Sequence, residues 1–478
     1  MMFDMDLEEG APQRPPPAVQ VPIVLPALAL SRPSSRLADG RSASPMQRKH
    51  SVTAGVVSML ERQLDDTHID SDYEDMAGSV RVEVPIVEEY VNDSAADGAQ
   101  GAAPAASGPA PPEPARRPRV TVDDFDVLRL IGKGGYGKVY LVQHKETRRH
   151  YAMKVLRKAS ILLQRRQIAF TMTERSILSE VQHPFIVKLF YAFQSNSKLY
   201  LIMEYVAGGE LFTHMANERI FSEDQATFYA AELVLAIAHL HRLGIVFRDI
   251  KPENCLLSRT GHLVLTDFGL SKTALGEDGR TNTFCGTPAY MAPEILESSG
   301  SYDLSVDWWS LGVLIYEMLT GAVPFKGKAP QQIAKNIAKM KVPYPNYLTP
   351  DAKDLIIRLL RKVPAKRIGY GPAGVANIKK HRFFRRIDWA RLEADYECFT
   401  PPIVPSVSGD ADVSNFAAEF TGQQLPPSVA ANGSLDVLPA LDALDALDVP
   451  APGAEIDPAT AFHGFSFVAN SVIMDGSN

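Results

Sequence analysis

An α+β architecture in two lobes is what the sequence predicts between roughly residues 120 and 384. Three observations carry that expectation. Short apolar runs separated by glycine and charged turns fill residues 125–206, as strands do. From about residue 211 onward the apolar spacing becomes helical. On either side the composition shifts to Pro, Ala, Gly, Ser and Asp, which cannot bury enough apolar surface to offset the entropy of ordering.

FDVLRLIGKGGYGKVYLVQHK from Phe125 and HYAMKVLRK from His150 read as strand, glycine turn, strand, strand. Residues 166–180 carry helical spacing, and KLYLIMEYV from Lys198 is a further strand. Helices follow at QATFYAAELVLAIAHLHRLG, DLSVDWWSLGVLIYEMLTG and PDAKDLIIRLLRK, with a short apolar strand, HLVLT, ahead of Asp267. Residues 8–119 are expected to be disordered. After about 385 the chain is Pro- and Asp-rich, and ALDALDALD at 440–448 reads as low-complexity linker.

The net charge of −7 hides a segregation. Residues 1–119 carry about −7 and residues 385–478 about −11, so the middle sits near +11. A basic core between acidic ends suits polyphosphate handling; two solvated tails are the compatible, plainer reading. Cys255, Cys285 and Cys398 show neither paired nor metal-ligand spacing, which points to a reducing compartment. The acidic MMFDMDLEEG start argues against a signal peptide, and the apolar run at 21–30 is too short for a membrane span. A cytoplasmic location, and with it the nucleus, is expected.

Chemistry enters with Gly132, Lys133, Gly134, Gly135, Tyr136, Gly137, Lys138 and Val139, a G-x-G-x-x-G-x-V element whose amides can approach phosphate oxygens closely. Alone it also suits a dinucleotide turn or a plain hairpin, though a strand rather than a helix follows it. Lys154 lies among apolar neighbours in a strand, and Glu174 on the next helix is its natural partner; either alone also reads as a surface residue. Phe247-Arg248-Asp249-Ile250-Lys251-Pro252-Glu253-Asn254 is the most informative stretch. Asp249 can accept a hydroxyl proton, Lys251 can steady a γ-phosphate, and Asn254 can coordinate magnesium. Asp267, in Thr266-Asp267-Phe268-Gly269, adds a second oxygen ligand for a hard dication.

In this order and at these intervals the motifs resemble the protein kinase family over about 260 residues, 125–384. The resemblance implies the two-lobed kinase fold, with a small β-rich N-lobe and a larger α-rich C-lobe, ATP and Mg2+ as cofactors, and protein substrates. It places Ile131 and the glycine element over the nucleotide, and Val139, Ala152 and Leu256 around its ring. Met203 lines the back of the pocket, Glu204 and Val206 offer backbone hydrogen bonds, and Lys154 with Glu174 positions the phosphates. Glu294 of Ala292-Pro293-Glu294 pairs with Arg367, and Asp307 anchors the catalytic loop or caps its own helix. Lys251 with Thr287 matches serine/threonine kinases. Glu210, Glu253 and Glu317 match acids that receive arginines upstream of the phosphorylated residue, although Glu210 also suits a ribose contact.

Thr283-Phe284-Cys285-Gly286-Thr287 resembles the activation loop of the AGC group, where Arg248 and Lys272 would hold a phosphate on Thr283. Phe416 and Phe420 resemble that group's tether, and Phe462-His463-Gly464-Phe465-Ser466-Phe467 its hydrophobic motif, so 385–470 reads as the AGC C-terminal domain. Ser428 stands where a turn-motif phosphosite would fall, with Val429 in place of the usual proline. Within the group the motifs look most like ribosomal protein S-six kinases, and Phe3-Asp4-Met5-Asp6-Leu7 matches their TOR-signalling motif. The partners implied are an upstream activation-loop kinase and TOR complex one through its adaptor, for a monomer needing neither nucleic acid nor a membrane span. An Akt-like kinase and a non-catalytic scaffold are the competing readings.

Three departures stand out. Phe247 replaces His or Tyr, which puts rate in question. Phe170 replaces a histidine that links the Glu174 helix to the phosphorylated loop, which predicts weaker coupling. Ala289 replaces a common glutamate, which predicts relaxed recognition of distant basic residues.

Overall fold

The computed structural model describes residues 120–134, 137–162, 165–272, 281, 285–297, 301–425, 461–469 and 472. The disorder expected for 1–119 therefore lies outside the described residues.

The small lobe is an antiparallel sheet. β1 (Phe125–Lys133), β2 (Gly137–His144) and β3 (His150–Arg157) follow one another as the alternating pattern predicts. β4 (Leu189–Gln194) and β5 (Lys198–Glu204) complete it from the chain, and β8 (Phe467–Val468), far along the tail, is added at the β4 edge. The order is β1-β2-β3-β5-β4-β8. An exposed strand edge presents unpaired amides and carbonyls, and the tail segment covers the end of that edge.

Between β3 and β4 run the short helix α1 (Lys158–Leu162) and α2 (Arg165–Glu180), which bears Glu174. The larger lobe holds α3 (Leu211–Glu218), α4 (Glu223–Arg242), the ribbon β6 (Cys255–Leu257) with β7 (Leu263–Leu265), then α5 (Val306–Thr320), α6 (Pro330–Lys339) and α7 (Pro350–Leu359). Short helices follow at Gly374–Lys379, Trp389–Ala394 and Ala418–Thr421.

Local chemistry explains the helix ends. Ser222 and Gln225 form a reciprocal capping box on α4, at 3.2 and 2.8 Å, with Glu223 and Asp224 in the first turn facing the positive end of the dipole. Thr349 caps α7 and Pro350 stands at its first turn, while Gly321 ends α5 in the left-handed region at φ 72°. α4 and α5 are apolar almost all round and form the middle of the large lobe. The main core runs from α2 through β4 and β5 into these helices, and takes in Phe462 and Phe465 of the tail.

Candidate functional site

β3 pairs with both β2 and β5, so Lys154 faces inward from the middle of the sheet, opposite Val139 and Leu201. Its Nζ lies 2.7 Å from Glu174 Oε1 and 2.9 Å from Asp267 Oδ1. Burial opposes the ammonium charge, but Asp267 and Glu174 together raise its pKa above the ordinary lysine value. Lys154 in turn holds the Asp267 carboxyl below the usual range. Burial pushes Glu174 upward while the ammonium pulls it back. Two acids sharing one cation leave Asp267, whose side chain is 53% exposed, able to reach a metal from the open side of the cleft.

The catalytic-loop candidates form one network. Asn254 Nδ2 donates to the main-chain oxygen of Asp249 at 2.8 Å and to its Oδ2 at 2.9 Å, which leaves the amide oxygen of Asn254 for a cation. Lys251 Nζ sits 2.7 Å from Asp249 Oδ2 and donates to Thr287 Oγ1 at 3.0 Å. Thr287 donates to Asp249 Oδ1 through its hydroxyl (2.9 Å) and its amide (3.1 Å). The role of Thr287 as a partner of Asp249 was not legible in the sequence, where it stood only as a mark of serine/threonine kinases.

Asp307 holds this loop from below rather than capping its helix. Fully buried, it accepts from the amides of Phe247 (2.9 Å) and Arg248 (2.8 Å) and pairs with His241 at 2.8 Å. Arg248 and Asp267 adopt φ 71° and 59°, left-handed conformations that such anchoring sustains. Phe247 packs edge-on to Phe268, with centroids 5.0 Å apart.

One side of the sheet is apolar here. Ile131, Leu141 and Ala152 cluster with Val139, Tyr205 and Phe416, and Met203 and Leu256 pack against the adjoining core. The Glu204 amide is already bonded to Lys188 O at 2.9 Å, so Glu204 can offer a nucleobase only its carbonyl. Buried Val206 follows it. The glycine turn closes with Gly134 N on Gly137 O at 2.9 Å, and a Cβ on Gly137 would meet Val155 O at 2.3 Å, so only glycine lets these strands approach. Lys133 is exposed and Lys138 half-buried, while Gly135 and Tyr136 lie outside the described residues.

The tail clasps the strand–helix junction. Tyr205 OH donates to Asp412 O at 2.5 Å, its ring stacks on Phe416, and Asn415 Nδ2 donates to Ala207 O at 3.1 Å. Gly209, at φ 76°, is needed here because a Cβ would stand 2.2 Å from Asn415 O. Phe416 stands where the tether resemblance put it; the contacts of Asp412 and Asn415 had no sequence signal, since they involve main-chain oxygens.

Glu253 lies close enough to act on both Glu210 and Glu317. Burial and the neighbouring Glu253 raise the carboxyl pKa of Glu210. Burial and Glu253 likewise raise Glu317, which accepts from Tyr290 OH. Acids that repel one another in this way favour an incoming cation.

The chemistry of these groups fits Mg-ATP. Asn254 and Asp267 supply hard oxygen ligands too few to form a complete cage, so substrate phosphates would fill the rest of the shell. The apolar cluster of Ile131, Val139 and Ala152 would face the base.

Around the activation segment, Arg248 Nε donates to Leu270 O at 2.5 Å and Lys272 Nζ to Thr281 Oγ1 at 2.9 Å. Burial, then the nearby Arg248, lowers the pKa of Lys272. Glu294 and Arg367 form the expected fork, at 2.7 and 3.0 Å. Thr283, Ser428 and Phe3–Leu7 lie outside the described residues. Ser466 is described: Arg175 donates to its main-chain oxygen at 2.7 Å and to that of Phe465 at 2.9 Å. Phe462 and Phe465 are fully buried beside it.

Comparison with known proteins agrees with this geometry. The family model described as protein kinase domain matches residues 125–384, and that described as protein kinase C terminal domain matches 407–467. Ribosomal protein S6 kinase alpha-4 of Homo sapiens is 44% identical over 369 residues, 75% of this chain and 45% of that protein. RAC-beta serine/threonine-protein kinase of Rattus norvegicus is 42% identical over 354 residues, 74% of this chain and 70% of that protein. The chain thus covers less than half the length of the S6 kinase alpha-4 relatives it matches. No helix among the described residues is long and apolar enough to cross a membrane. The chain belongs to the protein kinase family, as an AGC-group serine/threonine kinase related to the ribosomal S6 kinases.

Proposed function

We propose that this chain transfers the γ-phosphoryl group of Mg-ATP to serine or threonine hydroxyls that follow arginine-rich sequence, as an S6 kinase-like effector of TOR signalling. The observation that carries the transfer is the Asp249 carboxylate, oriented by Asn254, Lys251 and Thr287 at 2.7–3.1 Å. Magnesium, when bound, would supply positive charge against the charge that builds up on the phosphates. Asn254 and Asp267 would hold it, while Lys154, held by Glu174, orients the phosphates. Asp249 takes the proton of the substrate hydroxyl, and Lys251 steadies the transferring group. Positioning and electrostatics account for most of the acceleration in this chemistry.

Arginine preference rests on Glu210, Glu253 and Glu317, whose mutual repulsion a guanidinium relieves. Regulation on this reading runs through phosphates on Thr283, Ser466 and Ser428, with Arg248 and Lys272 receiving the first. TOR complex one would engage Phe3–Leu7 through its adaptor. The boundaries that go with this reading are 1–119 for the N-terminal region, 125–384 for the kinase domain and 385–470 for the C-terminal domain, in a monomer of the cytoplasm and nucleus. A RAC-like kinase outside TOR control is the alternative, favoured by the greater share of the RAC-beta relative that the chain covers.

The test is phosphorylation of an arginine-rich serine peptide with Mg-ATP by the full chain and by Asp267→Ala. Wild-type activity that Asp267→Ala abolishes is the expected result, and equal rates in both would overturn the kinase reading. Loss of TOR-dependent Ser466 phosphorylation in Phe3→Ala, with peptide activity intact, separates the TOR effector from the RAC-like alternative.

A further inference from the structure

We propose that Phe170 is a positioning residue, whose ring holds helix α2 and the catalytic loop in register without any phosphate. Phe170 lies on α2 four residues before Glu174, hence one turn away on the same face. Its ring takes the guanidinium of Arg248, with Cζ 5.7 Å from the centroid. Arg248 immediately precedes Asp249. One contact therefore spans from the helix that sets Lys154 to the loop that carries the candidate base.

Three further observations favour this over ordinary packing. Phe170 is only half-buried and belongs to none of the three apolar clusters, so its ring is not a core filler. Arg248 is 3% exposed, yet among the described residues no carboxylate pairs with it and its Nη2 has no hydrogen-bond partner. Its Nε and Nη1 are occupied by Leu270 O and Tyr302 OH, at 2.5 and 3.2 Å. Besides Nη2, the face of the guanidinium remains, and an aromatic ring stabilises a desolvated cation through its quadrupole. Finally, Arg248 sits at φ 71°, so a contact that fixes its side chain also supports a strained backbone beside Asp249.

The sequence predicted that Phe170, in place of histidine, weakens the link between α2 and the phosphorylated loop. The geometry changes that expectation: the ring meets Arg248 directly.

The consequence for catalysis rests on the proposed kinase function, but the contact is testable without it. The full chain, dephosphorylated and free of nucleotide, is compared as wild type, Phe170→Leu and Phe170→Tyr by hydrogen–deuterium exchange. Leu keeps bulk and loses the π face, whereas Tyr keeps both. The expected result is about fivefold faster exchange in Phe170→Leu at two places, α2 and the 247–250 segment, with Phe170→Tyr like wild type. Melting temperatures should agree within about 2 °C, showing that the fold is retained. Faster exchange in α2 alone would mean that Phe170 only packs its own helix, and would overturn the proposal. So would equal exchange in Phe170→Leu and wild type, or the same loss in Phe170→Tyr. A parallel peptide assay keeps the two readings apart: an inactive wild type that still shows the coupled exchange refutes the kinase function and leaves this link standing.

Discussion

Arg175 donates through Nη2 to the main-chain oxygen of Ser466 at 2.7 Å, across 291 residues of chain. Because Arg175 follows Glu174 directly, the docked tail grips α2 beside the residue that orients Lys154. A second bond to Phe465 O and a cation–π contact with Phe467 complete the grip. Both hydrogen bonds go to the backbone and the third contact is to the Phe467 ring, so none of them uses the Ser466 hydroxyl.

Replacing Arg175 by Ala is expected to lower kcat/KM for peptide phosphorylation about tenfold, the order of a lost charge-assisted hydrogen bond. Arg175→Lys should recover only part of it, since an ammonium lacks the planar fork that reaches both carbonyls and lies over the Phe467 ring. Steady-state kinetics on both variants checks this, with exchange at Phe467–Val468 reporting whether the tail has lifted.

Thr287→Ala should reduce kcat about a hundredfold with little change in the KM for ATP. It removes the hydroxyl bonded to Asp249 Oδ1 and the acceptor of Lys251, so the base loses its orientation while the nucleotide site is untouched. Thr287→Ser keeps both bonds and should stay within a few-fold of wild type.

Breaking the Glu294–Arg367 fork is expected to be costly. Arg367 has no exposed side-chain surface, and Glu294→Ala leaves its charge buried without a counter-ion. A loss of about 3–5 kcal/mol is the usual scale for one half of such a pair. Denaturant unfolding of the variant tests it.

His183 predicts an acid-side loss of stability. Burial, with His239 and Arg242 nearby, lowers its pKa from 6.5 to about 4, and its Nδ1 accepts from Phe185 N at 3.2 Å. A histidine held neutral in the fold contributes stability fully above its unfolded pKa, and that contribution is lost as pH falls from about 6.5 to about 4. The loss is at most about 3 kcal/mol. His183→Asn, whose side-chain oxygen can still accept from Phe185, should flatten the stability–pH curve in that window.

Much of the site could be read directly from residues. Lys154, Glu174, Asp249, Asn254 and Asp267 come together as their motifs implied, because each stands at a strand, helix or loop position that the local pattern identifies. Lys251 and Asp307 do as well. Elements that the sequence patterns did not single out include α1, β4, β6, β8, α3, α6 and the three short helices after α7. β4 is apolar on both faces and so lacks strand alternation, α3 buries only Leu211 and Met215, and β8 has only two residues. Asp412, Asn415 and Arg175 escaped notice for a different reason: they give or receive bonds involving main-chain oxygens, and an oxygen present in every residue leaves no mark on composition.

The sequence by itself determined the chemistry of this protein, because catalytic groups are few, chemically distinctive and held at short intervals along the chain. Only the tertiary structure decided how those groups are held. Phe170 meets Arg248, Thr287 meets Asp249, and Arg175 meets Ser466 because the chain closes on itself over long intervals. Local periodicity says which face of an element is buried; which distant residue lies against that face is settled only when the lobes and the tail pack.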